Sequence, residues 1–247
     1  MDRSRLIFVE GIMGSGKSTT ARWLARLFRR AGLPARPIPE ARPHPTNVFR
    51  SLPHWKQPWL DLTAEELIAR SYANWRAFVA AALADPRIYV FDGQLFHGDF
   101  TCLFLMECSL PELQTYVSTV LQLTQPLHPA LIYCYQANVA HALEHIGTQR
   151  GQGWVESQVA WKLSSPYAQR RGWVGSNGWK QLYLAYRQVT DRCLQTLSVP
   201  TLAIETSAGE WSNYQTRIQR FFDLPTIAEP VWQRWFYKVY DYLVDIR

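Results

Sequence analysis

The run Gly11-Ile12-Met13-Gly14-Ser15-Gly16-Lys17-Ser18 fits the pattern G-x-x-x-x-G-K-[ST], and its flanks decide what it means. Before it, Leu6-Ile7-Phe8-Val9 is short, continuous and apolar, as expected of a strand buried on both faces of a parallel sheet. After it, Trp23, Leu24, Leu27 and Phe28 recur at helical spacing from Lys17 to about Ala31, and Gly32 marks the stop. Strand, glycine loop and helix open a βαβ unit, which commits the chain to an α/β fold. Glycines let backbone N–H groups turn inward around phosphate oxygens, and the helix N-terminus favours an anion. The lysine reaches β/γ-phosphates and the serine hydroxyl can hold Mg²⁺. The expected nucleotide-binding set is Gly11, Met13, Gly14, Ser15, Gly16, Lys17, Ser18 and Thr19, with ATP and Mg²⁺ as cofactors.

Length and composition bound the rest. A chain of 247 residues suits one α/β domain with an appendage. At 47% hydrophobic and 19% charged residues it can build a sizeable core, which excludes a disordered chain. The longest apolar run, Ala77 to Ala84, is far short of the ~20 residues that cross a bilayer. A net charge of +6 suits an anionic ligand. Arg22, Arg26, Arg29 and Arg30 fall on one helix and read as a solvated face, so no nucleic-acid partner is assigned. Cys102, Cys108, Cys134 and Cys193 show no metal-ligand or disulfide-framework spacing. With the first strand beginning near Arg5, no leader is expected, and a cytoplasmic location follows.

Further strands are expected at Ala35 to Ile38, Arg87 to Asp92, Leu131 to Tyr135 and Thr201 to Glu205. Seven prolines between Pro34 and Pro58 make most of that stretch a long loop. Thr63 with Glu66 is a capping-box pattern opening a helix to about Ala84. Helices are also expected near Phe100 to Glu107, from Pro111, at Val139 to Ile146, Trp179 to Leu197 and Trp211 to Phe222. Gly147, Gly151, Gly153, Gly172, Gly175 and Gly178 punctuate a stretch read as mobile and substrate-facing. The tail places Trp232, Trp235, Phe236, Val239, Tyr240 and Leu243 on one helical face. That face must dock, either on its own domain, which is the expectation, or on a second subunit of a homodimer.

The stretch from Phe8-Val9-Glu10-Gly11 through Ser18-Thr19-Thr20 resembles the opening of the thymidylate kinase and deoxynucleoside kinase group of P-loop kinases. Beyond the loop the likeness is one of layout and short patterns, from Leu6 to about Phe222. Glu40 stands where deoxynucleoside kinases carry a carboxylate near the acceptor hydroxyl; a carboxylate at a parallel strand's C-terminal edge can take that hydroxyl's proton, or can merely cap the proline-rich loop. Asp92 resembles the acidic residue these kinases place near Mg²⁺ or its waters, which makes Ser18 and Asp92 the metal candidates. The family's next residue is usually an acceptor-contacting arginine, and here it is Gly93, with His97 a candidate replacement. Asn138 to Arg150 resembles the helix leading into the kinase lid, so Arg150, with Arg170 and Arg171 as further candidates, would neutralise the transferred phosphoryl group. Trp55, Trp59, Tyr72 and Trp75 lie where related kinases build the acceptor pocket, although core packing is the commoner use of each.

The fold expected is therefore α/β: a five-stranded parallel sheet with helices on both faces, P-loop NTPase/kinase-like, with a helical lid and an aromatic C-terminal tail. Residues 1–225 form the kinase-like domain, about 148–178 its lid, and 226–247 the extension. The catalytic candidates are Lys17, Glu40, Asp92, Arg150, Arg170 and Arg171. The function expected is transfer of the γ-phosphoryl group of Mg-ATP to a small-molecule acceptor, nucleotide-like by family default. The competing class is a regulatory NTPase that hydrolyses or senses ATP or GTP and acts through a protein partner. No second carboxylate-bearing Walker B strand and no Asn-Lys-x-Asp pattern is apparent, which disfavours ATPase motors and G proteins.

Overall fold

The computed structural model describes residues 3–40 and 44–225; the aromatic tail at 226–247 lies outside them. Strands β1 (Leu6–Glu10), β2 (Ala35–Ile38), β3 (Ile88–Asp92), β4 (Pro129–Tyr135) and β5 (Thr201–Glu205) all pair in parallel, in the order β2-β3-β1-β4-β5. The chain thus has an α/β P-loop fold. β1 lies between β3 and β4, so the strand order reverses at β1 and a crevice opens beyond its C-terminal end. Helix α1 (Lys17–Arg30) leaves β1 through the glycine loop at that point.

Side-chain alternation along the strands feeds two cores. Leu6 and Phe8 join Tyr89, Phe91, Leu131 and Tyr133 on one face, where α2 (Ala64–Leu83), α3 (Asp99–Leu105), α4 (Leu110–Thr124) and α8 (Gly175–Leu194) pack. Ile7 and Val9 join Val90, Ile132 and Cys134 on the other, covered by α1 and α9 (Trp211–Phe221). Leu6 through Val9 are fully buried, each worth about 1.5–3 kcal/mol of apolar transfer. That two-sided burial is why the first strand reads as an unbroken apolar run.

Local signals fix the helix starts. Thr63 Oγ1 accepts from Glu66 N at 3.2 Å while Glu66 Oε2 accepts from Thr63 N at 2.8 Å, closing the capping box of α2. Ser109 and Glu112 repeat the device at α4, with Pro111 in its first turn.

The glycine-punctuated stretch is helical, as expected of a helical lid, and its glycines do not break it up into loop. Helix α5 (Val139–Arg150) runs through Gly147 to Arg150, and α6 (Gln152–Leu163) and α7 (Pro166–Arg170) follow it. A Cβ on Gly147 would come within 3.0 Å of Val155 Cγ2, so this glycine lets α5 and α6 approach closely. Among the described residues, no helix is long and apolar enough to cross a membrane.

Candidate active site

The phosphate loop is built around conformations only glycine takes easily. Gly11 has φ 147°, and a Cβ there would collide with the Cys134 carbonyl oxygen; Gly16, at φ 83°, caps α1. No side chain caps α1 and no acidic residue occupies its first turn, so the positive end of the helix dipole faces the loop. The loop is braced from the neighbouring strands. Gln136 Nε2 donates to Gly14 O at 3.0 Å and Thr206 Oγ1 donates to Ser15 O at 3.0 Å.

Three carboxylates surround Lys17, which is only 8% exposed. Its Nζ lies 3.7 Å from Glu40 Oε2. Burial alone would lower the lysine's pKa, but Glu40, Asp92 and Glu10 together hold it above its ordinary value. Withdrawal from water pushes the Glu40 carboxyl up, and Lys17, His97, Arg50 and Lys162 more than reverse this, holding it at about 2. Arg50 Nη2 also reaches Glu40 Oε1 at 3.3 Å.

Asp92 behaves differently. Burial raises its pKa, Lys17 opposes, and a hydrogen bond with the Ser18 side chain ties it to the start of α1. Its Oδ1 is buried without a hydrogen-bond partner. An orphaned carboxylate oxygen beside a serine hydroxyl is a hard-oxygen pair, and these two residues fit Mg²⁺. Glu10, fully buried, receives Gln94 N at 2.7 Å and Leu95 N at 2.6 Å, and its other oxygen lies 3.5 Å from His97 Nδ1. It thereby ties the strand before the loop to the turn after β3.

One cleft of about 1270 Å³ joins these groups. Its floor is Gly14, Gly16, Lys17, Ser18 and Thr19; its far half is walled by Phe49, Arg50, Trp55, Trp161, Lys162 and Tyr183. Trp55 and Trp161 meet edge to face at 5.3 Å and Gln57 Nε2 donates to Ser164 Oγ at 3.0 Å, so the proline-rich loop clasps α6 over the cleft.

Of the residues expected from sequence, Met13, Gly14, Gly16, Lys17, Ser18, Thr19, Glu40 and Arg150 line this cleft, and Asp92 meets Ser18 beneath it. Arg170 and Arg171 do not join them. They pair with Glu107 at 3.5 and 2.9 Å, and Arg171 also lies over the Tyr167 ring, at a separate small pocket. The physical reason is that Glu107, at the end of α3, offers both guanidinium groups a counter-ion away from the cleft. Trp75 is fully buried against Phe8, and Tyr72 stacks on Tyr116; of the four aromatics named, only Trp55 lines the cleft.

Sequence reading missed Arg50, Trp161, Lys162 and Tyr183. Arg50 had a signal, an arginine beside Phe49 in a loop near Glu40. Lys162 had none, because a lysine in the last turn of a helix ordinarily reads as solvated.

No family model and no curated protein matches the chain. Several solved structures are similar to it across 87% of its length. Deoxyadenosine kinase from M. mycoides with bound dATP has 14% identity and a TM-score of 0.46 over 98% of that chain. The YorR protein from Bacillus subtilis in complex with phosphorylated GDP has 15% identity and a TM-score of 0.45 over 95% of that chain. The M. mycoides enzyme with products dCMP and a flexible dCDP bound has 14% identity and a TM-score of 0.42 over 99% of that chain.

Proposed function

We propose that this chain is an ATP-dependent phosphotransferase that moves the γ-phosphoryl group of Mg-ATP to a small-molecule acceptor bound between the aromatic walls of the cleft. The observation that carries the reading is the Lys17 to Glu40 contact, 3.7 Å, which joins a phosphate-loop lysine to a carboxylate at the mouth of the aromatic half. A protein that only senses nucleotide has no need of that carboxylate.

In this account the loop N–H groups and the N-terminus of α1 take the phosphates, and Lys17 exchanges Glu40 for a β/γ-phosphate oxygen. Glu40 then loses the cation that most depresses its basicity, so it gains proton affinity when the donor is seated. Its Oε2 accepts the proton of the attacking acceptor group. Ser18 and Asp92 would hold Mg²⁺, which when bound neutralises charge on the β/γ-phosphates. Residues 148–178, within a domain spanning 1–225, act as a lid that carries Arg150 towards the transferred group and excludes water.

The test is acceptor-stimulated release of ADP. Purified protein given Mg-ATP and a metabolite extract should turn over ATP faster than without the extract; equal rates would favour the regulatory NTPase reading.

A further inference from the structure

Lys162 stands in the acceptor half of the cleft with no counter-ion. It is 7% exposed, it lines the cleft, and among the described residues it makes no ion pair. Its Nζ lies 3.8 Å from the Trp161 ring centroid, a cation–π contact that orients the ammonium without neutralising it. Glu40, the carboxylate that acts on it, is engaged elsewhere, shared by Lys17 and Arg50. Arg50, held by the rings of Phe49 and Trp55, has its Nε buried and without a hydrogen-bond partner.

A buried cation with no partner is costly, and methionine would fill the same space without that cost. Burial pushes the Lys162 amine down to about 8; Cys102 and Glu40 oppose this only in part, and Arg50 repels it. A ligand that brings its own negative charge removes the penalty.

We propose that the acceptor taken by this cleft is itself an anion, a flat-ringed compound carrying a phosphate monoester or a carboxylate, whose charge is received by Lys162 with Arg50. The aromatic walls hold the ring and the two cations select the charge, so a neutral analogue of the same shape is rejected. This deepens the phosphotransferase reading and rests on it only in calling the ligand an acceptor.

The test uses the full-length protein with a non-hydrolysable Mg-ATP analogue bound. Lysines are acetylated with a neutral reagent, and the rate at each lysine is read by peptide mass spectrometry, with Lys180, paired to Glu144 outside the cleft, as internal standard. The probes are phenyl phosphate, benzoate and neutral benzyl alcohol. Phenyl phosphate should slow acetylation of Lys162 by about tenfold or more, as expected for a charged hydrogen bond, and benzyl alcohol by less than about twofold. Protection by benzoate as well assigns recognition to charge alone; its absence assigns it to phosphate. Equal protection by benzyl alcohol, or no protection by either anion, overturns the proposal. Acceptor-stimulated release of ADP, measured separately, reports on the phosphotransferase reading, so its failure is distinguishable from failure of the anion pocket. By equilibrium dialysis, Lys162→Arg should keep phenyl phosphate binding and Lys162→Met should lose it; retention in the methionine variant also overturns the proposal.

Discussion

Lys17 Nζ lies 3.7 Å from Glu40 Oε2, so the phosphate-loop lysine and the carboxylate two residues beyond β2 neutralise each other across the cleft. The pair links the two halves of the site. In the proposed mechanism, seating nucleotide phosphates on Lys17 would free Glu40 and restore the basicity that proton transfer needs.

Glu40→Gln keeps the side chain's volume and removes its basicity. Single-turnover phosphoryl transfer should fall by roughly 10²- to 10⁴-fold, the contribution of a positioned general base, while ATP affinity changes little. Transfer at the wild-type rate would remove Glu40 from the mechanism and leave Asp92 as the next candidate.

Asp99 has no exposed surface and anchors the acceptor-side loop through Val48 N and Phe49 N. Burial raises its carboxyl from 3.8 to about 6, and the backbone and Ser71 hydrogen bonds oppose only in part. A carboxyl with a raised folded-state pKa binds its proton more tightly when folded, so its contribution to stability is greatest below 3.8 and declines as pH rises through about 6. At pH 7 the loss is on the order of 3 kcal/mol. Asp99→Asn, which keeps an acceptor oxygen, should be at least as stable as wild type at neutral pH. Its Tm should vary less between about pH 4 and pH 7. A variant clearly less stable at neutral pH, with the wild-type slope, would contradict this.

Gly11→Ala should disable the loop from its first residue. The added methyl meets the Cys134 carbonyl, which belongs to β4 and cannot rotate away. Thermal or urea unfolding should show a loss of about 2 kcal/mol or more, together with loss of nucleotide binding. Unchanged stability would mean that β1 and β4 part more easily than their pairing implies.

Hydrogen exchange tests the lid. Amides between Arg150 and Gly175 should exchange faster without ligand than with ATP analogue and acceptor together. Strong protection in the free protein, unaltered by ligands, would contradict a closing lid.

What was legible in the sequence follows from how each part is stabilised. β1, β3 and β4 were readable because buried runs bounded by turn residues leave little freedom, and the Thr63 and Glu66 box marked α2 by local chemistry alone. The glycine loop was legible from its spacing and from the strand and helix that flank it. The helices between 147 and 170 were expected only collectively, as a helical lid, and their bounds were not legible because their glycines read locally as breaks. Gly147 serves contact with Val155 across two helices, and a Cβ on Gly178 would come within 2.8 Å of the Trp173 backbone. Such glycines permit close packing, which local propensity cannot reveal. The position of Arg170 and Arg171 away from the cleft was hidden for a related reason: Glu107, with which they pair, is 63 residues from Arg170 and 64 from Arg171 in sequence. That Lys162 makes no ion pair among the described residues depends on Glu40 being already engaged by Lys17 and Arg50.

The fate of the terminal phosphate tests the central claim most directly. Protein incubated with γ-labelled Mg-ATP and a small-molecule extract should move the label into a new organic phosphate, resolved by chromatography and mass spectrometry, and Lys17→Ala should move none. Label appearing only as inorganic phosphate, at a rate the extract does not change, would contradict the account.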